Sequence, residues 1–159
     1  MKFQLKDNIN FLKKIKEENK KIVFTNGCFD ILHVGHVRYL SKAKKLGNIL
    51  IVGLNSDKSV KKLKGDNRPI NIFEDRATLL ASLRFVDLVI IFEEKTPENL
   101  IKKIKPDILV KGGDYNIEDI VGYKTVIENG GEVKVLGFHE GYSSSNYINK
   151  IKKTLTWLS

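Results

Sequence analysis

The stretch Gly27-Cys28-Phe29-Asp30-Ile31-Leu32-His33-Val34-Gly35-His36 holds the residues best suited to chemistry. An apolar run, Ile22-Val23-Phe24, enters it, and an amphipathic stretch, Val37 to Leu46, leaves it. The segment therefore reads as a strand, a glycine-containing turn and a helix, with His33 and His36 where the helix begins. A helix N-terminus carries free N–H groups and a partial positive charge, so it attracts phosphate. Two imidazoles at that point can donate hydrogen bonds to phosphate oxygens or pass protons, so a phosphate is expected to react there. Gly35 would let a bulky ligand approach the backbone. A metal would need more ligands. The remaining histidine, His139, is far off in sequence and nothing nearby completes a set, so no metal site is expected. Cys28 is the only cysteine, which excludes an internal disulfide and a cysteine-cluster metal site.

Other nucleotide and hydrolase signatures are missing. There is no G-x-G-x-x-G, no G-x-x-x-x-G-K-[ST] and no G-x-S-x-G. Lysine supplies nearly all the cations, and arginine occurs only at Arg38, Arg68, Arg76 and Arg84. An arginine kept in so lysine-biased a chain marks a place that needs a planar guanidinium, most of all Arg76 and Arg84. The net charge of +9 is scattered over the chain without aromatic interleaving, so solvated helix faces explain it better than nucleic acid does. Such a field would still attract anionic small molecules. No apolar run approaches the roughly 20 residues of a membrane span, and the first residues lack a signal-peptide core. A cytoplasmic protein with neither a nucleic-acid nor a membrane partner is expected.

The elements that must position these residues follow from periodicity. Helices are expected over 7–20, 36–46, 73–83, 123–128 and 144–155, and strands over 21–25, 49–54, 87–92, 107–110 and 132–136. In the helix over 73–83, Leu79, Leu80 and Leu83 are expected to face inward. Another helix should start with Thr96 as N-cap and Pro97 at its first position, and end at Pro106. Asn55 to Asn71 reads mostly as loop with a turn of helix. Strands alternate with helices throughout. The expected fold is α/β: one domain over 1–159, a Rossmann-like open five-stranded parallel sheet with helices on both faces. Residues 1–20 form a helical lead-in and 143–159 the C-terminal helix. Ligands in such folds sit at the carboxyl ends of the strands. Three loops there are chemically loaded: Asn26 to His36, Asn55 to Asn71, and Lys111 to Tyr115.

Gly27-Cys28-Phe29-Asp30 followed by His33-Val34-Gly35-His36 resembles the HxGH signature of the nucleotidyltransferase superfamily that includes the cytidylyltransferases. Further stretches are similar to one branch: Asn55 to Val60, Leu63-Lys64-Gly65, Arg68 to Asn71, Phe85-Val86-Asp87, Val110 to Tyr115 and Asn129 to Val133. That branch is the adenylyltransferase domain of bifunctional ADP-heptose synthase and its stand-alone counterparts.

The resemblance implies that ATP and D-glycero-D-manno-heptose 1-phosphate give ADP-heptose and pyrophosphate, for the lipopolysaccharide core, with Mg2+ on the phosphates. It implies catalytic roles for His33, His36 and Lys64, with Lys62 near the last. It places Gly27, Phe29, Asp30, Gly35, Arg76, Arg84, Lys111, Gly112 and Asp114 at the nucleotide. Ser143, Ser144 and Ser145 would hold the departing pyrophosphate, and Asn55, Asp57 and Arg68 the sugar phosphate. It further implies a homodimer. A kinase domain precedes this motif in the bifunctional members, so a separate heptose kinase is expected to make the substrate. Some cytidylyltransferases carry an arginine where this chain has Gly137 to Gly141, which leaves His139 as a substitute. The alternatives are a cytidylyltransferase acting on glycerol 3-phosphate or another polyol phosphate, and a non-catalytic nucleotide- or nucleic-acid-binding module.

Overall fold

A strand that is apolar on both faces is stable only inside a sheet covered on both sides. β2 (Ile49–Asn55) is such a strand, buried from Leu50 to Asn55. The computed structural model, which describes residues 3–137 and 142–155, places it in a sheet of five parallel strands. The others are β1 (Ile22–Gly27), β3 (Leu88–Phe92), β4 (Ile108–Gly112) and β5 (Glu132–Leu136), and the order is β3-β2-β1-β4-β5. Seven helices connect or flank them: α1 (Ile9–Glu17), α2 (Val34–Lys44), α3 (Asp57–Lys64), α4 (Phe73–Ala81), α5 (Glu98–Ile104), α6 (Tyr123–Glu128) and α7 (Ser144–Leu155).

Side chains alternate along each strand, so neighbours feed opposite faces. Phe24, Ile51, Ile90 and Leu109 pack with Leu12 and Ile15 of α1, Ile101 and Ile104 of α5 and Val126 of α6. Val23, Leu50, Val52 and Val110 pack with Leu40 and Ala43 of α2 and Ala77 and Leu80 of α4. Helices thus cover both faces, as the alternation of elements predicts. Among the described residues no helix is long and apolar enough to cross a membrane.

The chain winds outward from β1 in both directions. β1 pairs with β2 on one side and β4 on the other, so the loops leaving β1 and β4 diverge and open a crevice at their carboxyl ends. At the opposite edge, carboxylates satisfy strand N–H groups. Asp107 accepts from Ile22 N at 2.6 Å, and Asp87 accepts from Leu50 N at 2.6 Å and from Lys44 Nζ at 2.5 Å.

Three local expectations are corrected. Residues 55–71 contain a two-turn helix, α3, because Ser56 Oγ caps it (Ser59 N at 3.2 Å) and Val60 buries against the sheet. α5 begins at Glu98 with Pro97 in the capping position, so Thr96 is not the cap. Leu79 is 46% exposed, because successive helical side chains diverge by about 100° and Arg76, Ala77 and Leu80 take the inward face of α4. Leu83, past the helix end, does pack against the core.

Leu80→Ala should therefore cost about 2–5 kcal/mol in chemical denaturation. Leu79→Ala, one residue away, should stay within about 0.5 kcal/mol of the parent.

Candidate active site

The β1–α2 turn is a strained piece of backbone. Phe29 sits at φ 44°, a region that non-glycine residues rarely adopt. Its ring folds back over Gly27, where a Cβ would lie 2.9 Å from the ring, so any side chain at residue 27 would displace it. Phe29 then meets His36 edge-on at 5.0 Å between centroids. His33 occupies the N-cap position of α2 in extended conformation, and its ring stacks on that of His36 at 3.7 Å and 20°. The helix starts at Val34, so the two histidines do flank its first turn, as the sequence suggests.

Burial pushes His36 down to about 4, with His33 and Lys64 adding to the effect, and burial also lowers His33. Both rings are therefore predominantly neutral at pH 7. Nδ1 of each is buried with no hydrogen-bond partner among the described residues. Buried polar atoms nearly always have partners, so these two await a ligand or water. Gly35 is required by close packing within the protein. A Cβ there would lie 3.0 Å from His33 Nδ1 and 3.0 Å from Tyr142 Cβ, so the space is filled by the protein itself rather than by a bulky ligand.

A cavity of about 270 Å³ opens beside this turn at the carboxyl ends of β1 and β4. Gly27, Phe29, His36, Lys64, Lys111, Gly112 and Ser144 all line it, which brings together residues predicted from three separate loops and the C-terminal helix. Lys111 is mostly buried, and burial holds its pKa below the ordinary lysine value. Its Nζ reaches only Asn26 Oδ1, at 3.2 Å, and neither it nor Lys64 meets a carboxylate among the described residues. Two lysines, an imidazole and a serine hydroxyl at one cavity, with no carboxylate in its lining, make an anion site. Larger open grooves of about 710 and 670 Å³ lie by α5 and along α7, without such convergence.

Several residues predicted to touch ligands build the scaffold instead. Arg76 is 1% exposed and donates to four acceptors: Asn71 O (3.0 Å), Cys28 O (2.6 Å), Asn55 O (2.9 Å) and Asp57 Oδ1 (2.6 Å). Its guanidinium ties the β1–α2 turn, the end of β2 and the start of α4 together and is not presented to a nucleotide. Asp30 is buried and accepts from Ile70 N (2.7 Å), Asn71 N (3.0 Å) and Arg68 Nε. Burial works to raise its pKa, but these hydrogen bonds prevail and hold it below the ordinary carboxylate value.

Asn55 donates to Ser59 Oγ at 2.9 Å and is buried, and Asp57 is paired with Arg76. The Asp57 side chain remains 41% exposed, whereas Asn55 is buried. Arg68 is bound to Asp30, but its Nη2 is buried without a partner among the described residues. Arg84 is exposed on the connection from α4 to β3, which leads to the amino ends of the strands, so it lies away from the cavity.

Asp114 is exposed at the mouth of the β4 loop, next to Gly113 at φ 124°. Ser143 Oγ caps α7 by accepting from Asn146 N at 3.0 Å. Ser144 is buried and donates to Ile31 O at 3.3 Å, while Ser145 is exposed. His139 lies outside the described residues. The sequence reading missed Tyr39, whose hydroxyl meets Thr25 Oγ1 at 2.6 Å and donates to Val110 O at 3.1 Å, tying β1, α2 and β4 beneath the cavity. It also missed Tyr115 and Cys28 as lining residues. An aromatic on an amphipathic helix or in a turn carries no signal that separates these roles from packing.

Among the described residues no group of three or more His, Cys, Asp or Glu is clustered to hold a metal ion. The nearby carboxylates of Asp30 and Asp57 are committed to arginines. The donor set therefore does not fit a resident metal.

Arg76→Ala would leave three backbone carbonyls and Asp57 without their donor and should cost about 3–5 kcal/mol in denaturant unfolding. Arg76→Lys should recover little, since an ammonium cannot reproduce the fork. For His36, the folded pKa of about 4 lies below its ordinary 6.5, so the unfolded chain takes up the proton first as pH falls. Its stabilisation is full above about pH 6.5 and is lost as pH drops toward 4, by roughly 2 kcal/mol with the ring's partial exposure discounted. Thermal melts across that window should show the loss, and His36→Gln should flatten it.

The sequence profile of the cytidylyltransferase-like family matches residues 24–150. Bifunctional protein HldE of Campylobacter fetus is 57% identical over 145 residues, which is 91% of this chain and 31% of that protein. Bifunctional protein HldE of Proteus mirabilis is 59% identical over 138 residues, 87% of this chain and 29% of that one. The chain thus spans about a third of the length of the curated relatives it matches. A crystallised lipopolysaccharide core biosynthesis protein from Thermoplasma volcanium is 31% identical, with a TM-score of 0.62 over 78% of this chain and 99% of that one. Pantoate-beta-alanine ligase from Francisella tularensis, 18% identical with a TM-score of 0.54 over 84% of this chain and 66% of that one, shares the fold. With its HxGH turn, its crevice at the carboxyl ends of β1 and β4, and a profile match over most of its length, the chain belongs to the cytidylyltransferase-like family.

Proposed function

We propose that this domain transfers AMP from ATP to D-glycero-D-manno-heptose 1-phosphate, giving ADP-heptose and pyrophosphate for lipopolysaccharide core synthesis. The observation that carries the reading is the anion cavity itself. His36, Lys64, Lys111 and Ser144 line it where the β1 and β4 loops part, and His33 stacks on His36, both rings neutral with Nδ1 unpartnered among the described residues. The similarity to the HldE proteins and to the Thermoplasma lipopolysaccharide core protein supports the choice of sugar.

In this reading a phosphate oxygen of the sugar 1-phosphate attacks the α-phosphorus of ATP. The new P–O bond forms as the bond to the β-phosphate bridging oxygen breaks, and pyrophosphate leaves with the electron pair. The substrate is the nucleophile, so the chain need supply no covalent intermediate. Its work is to position the two anions and to offset charge as the α-phosphorus becomes five-coordinate. His33 and His36 donate N–H hydrogen bonds there without the desolvation cost of a buried cation. Lys64 at the end of α3 and Lys111 near the carboxyl end of β4 supply full charge. The start of α7, with Ser143 to Ser145, takes the departing pyrophosphate. Mg2+ accompanies ATP as part of the co-substrate, and magnesium supplies charge neutralisation of the phosphates when bound. A homodimer, a cytoplasmic setting and a kinase activity outside the described residues that makes the sugar 1-phosphate belong to the same reading.

Pyrophosphate release in the presence of magnesium, each nucleoside triphosphate and a panel of sugar and polyol phosphates tests it. Turnover with ATP and heptose 1-phosphate is expected. His36→Ala should lower kcat at least about 100-fold with its circular dichroism unchanged. Lys64→Ala should mainly raise the KM for ATP. Turnover with CTP and glycerol 3-phosphate instead would move the assignment to the cytidylyltransferase alternative, and no turnover with any pair would overturn catalysis.

A further inference from the structure

We propose that Tyr147 is a positioning residue that fastens α7 to the His33–His36 turn through a ring stack on His33, so that the serine-bearing start of α7 and the imidazole pair form one phosphate-binding unit. The proposal deepens the reading above and rests on it.

α7 is twelve residues long, yet among the side chains described in it only Ser144 is buried. Ile151 is 56% exposed, and the neighbouring Asn149 and Lys150 are also exposed. A helix with so little buried surface is not seated by its own apolar face. What anchors it lies at its first two turns. Ser144 Oγ donates to Ile31 O at 3.3 Å, and the Tyr147 ring stacks on His33 at 5.7 Å between centroids and 18° between planes. Tyr142, just ahead of the helix, is nearly parallel to the same imidazole at 6.4 Å and 27°. Gly35 admits this approach, because any Cβ there would lie 3.0 Å from Tyr142 Cβ.

His33 makes no side-chain cap to its own helix, and its Nδ1 has no partner among the described residues. The described contacts of its ring are therefore aromatic: His36, Tyr147 and Tyr142. Offset-stacked rings prefer a narrow range of orientations, so the stack holds the plane in which both nitrogens lie. The same contact brings the free N–H groups at the start of α7 to the phosphate site.

The test uses the full chain with inorganic pyrophosphate as probe, following the His33 ring C–H resonance by NMR. Tyr147→Leu keeps apolar bulk and removes the ring, and Tyr147→Phe keeps the ring and removes the hydroxyl. Tyr147 is 36% exposed, so both variants should fold, and thermal melts check this. In the wild type, pyrophosphate should shift the His33 resonance. Tyr147→Leu should move the resonance of the free protein through loss of the ring current and weaken pyrophosphate binding about three- to tenfold. Tyr147→Phe should restore both to within about twofold. An unmoved His33 resonance with unchanged pyrophosphate binding in Tyr147→Leu would overturn the proposal, as would failure of the phenylalanine variant to rescue. Neither measurement needs the sugar phosphate, so an inactive heptose assay would overturn the substrate assignment alone.

Discussion

One buried guanidinium organises the cavity end of this molecule. Arg76 reaches from α4 into the junction of three loops and donates to Cys28 O, Asn55 O, Asn71 O and Asp57. Burying a charge is costly unless its donors are met, and here each nitrogen meets at least one acceptor. The consequence is geometric. The carbonyl of Cys28 is held immediately before Phe29, whose left-handed backbone turns its ring onto His36. The carbonyl of Asn55 is held at the start of the segment that leads through α3 to Lys64. Asp30 repeats the device from the other side, gathering Arg68, Ile70 and Asn71. The imidazoles and the α3 lysine thus keep a fixed relation although they arise from different strands.

The same arrangement sets the electrostatics. A net charge of +9 spread over a surface does little to define a site. What defines it is where the carboxylates are absent. Asp30 and Asp57 are tied to arginines, and Asp87 and Asp107 satisfy strand ends at the far edge. The cavity is left with Lys64, Lys111, Ser144 and His36, whose ring burial keeps neutral and which stacks on His33. Neutral imidazoles can lie 3.7 Å apart where two imidazolium rings would repel.

α7 is attached differently from the rest. The sheet shares two apolar cores with α1, α2, α4, α5 and α6, whereas α7 meets the site through Ser144 and Tyr147, with Tyr142 just ahead of it. The phosphate end is therefore built from one rigid part and one part held by a few directional contacts.

Most of the fold was legible in the amino-acid order, because the patterns that encode it are local. The apolar run Ile49 to Leu54 can only be an interior strand, and the alternation of such runs with amphipathic stretches implies a parallel sheet. The cavity's place was legible for the same reason: His33, Gly35 and His36 lie at the β1–α2 junction, Lys64 ends α3, Lys111 lies near the carboxyl end of β4 and the serine cluster opens α7. Residue roles were legible only where they depend on the neighbouring chain. Rarity marked Arg76 as needing a guanidinium, but its acceptors come from positions 28, 55, 57 and 71, so its scaffold role appears only when the loops meet. Arg84 looked equivalent and lies on the connection to the opposite edge of the sheet. Leu79 was misread because the inward face of α4 is taken by Arg76, Ala77 and Leu80, and the Arg76 hydrogen bonds to Asn55 and Asp57 likewise come from a distant position. The sequence by itself determined which elements form and which loops carry the chemistry, since these follow from periodicity and residue type. Tertiary structure alone decided which polar groups face the ligand and which hold the scaffold, since every buried donor must find an acceptor and those acceptors are distant along the chain.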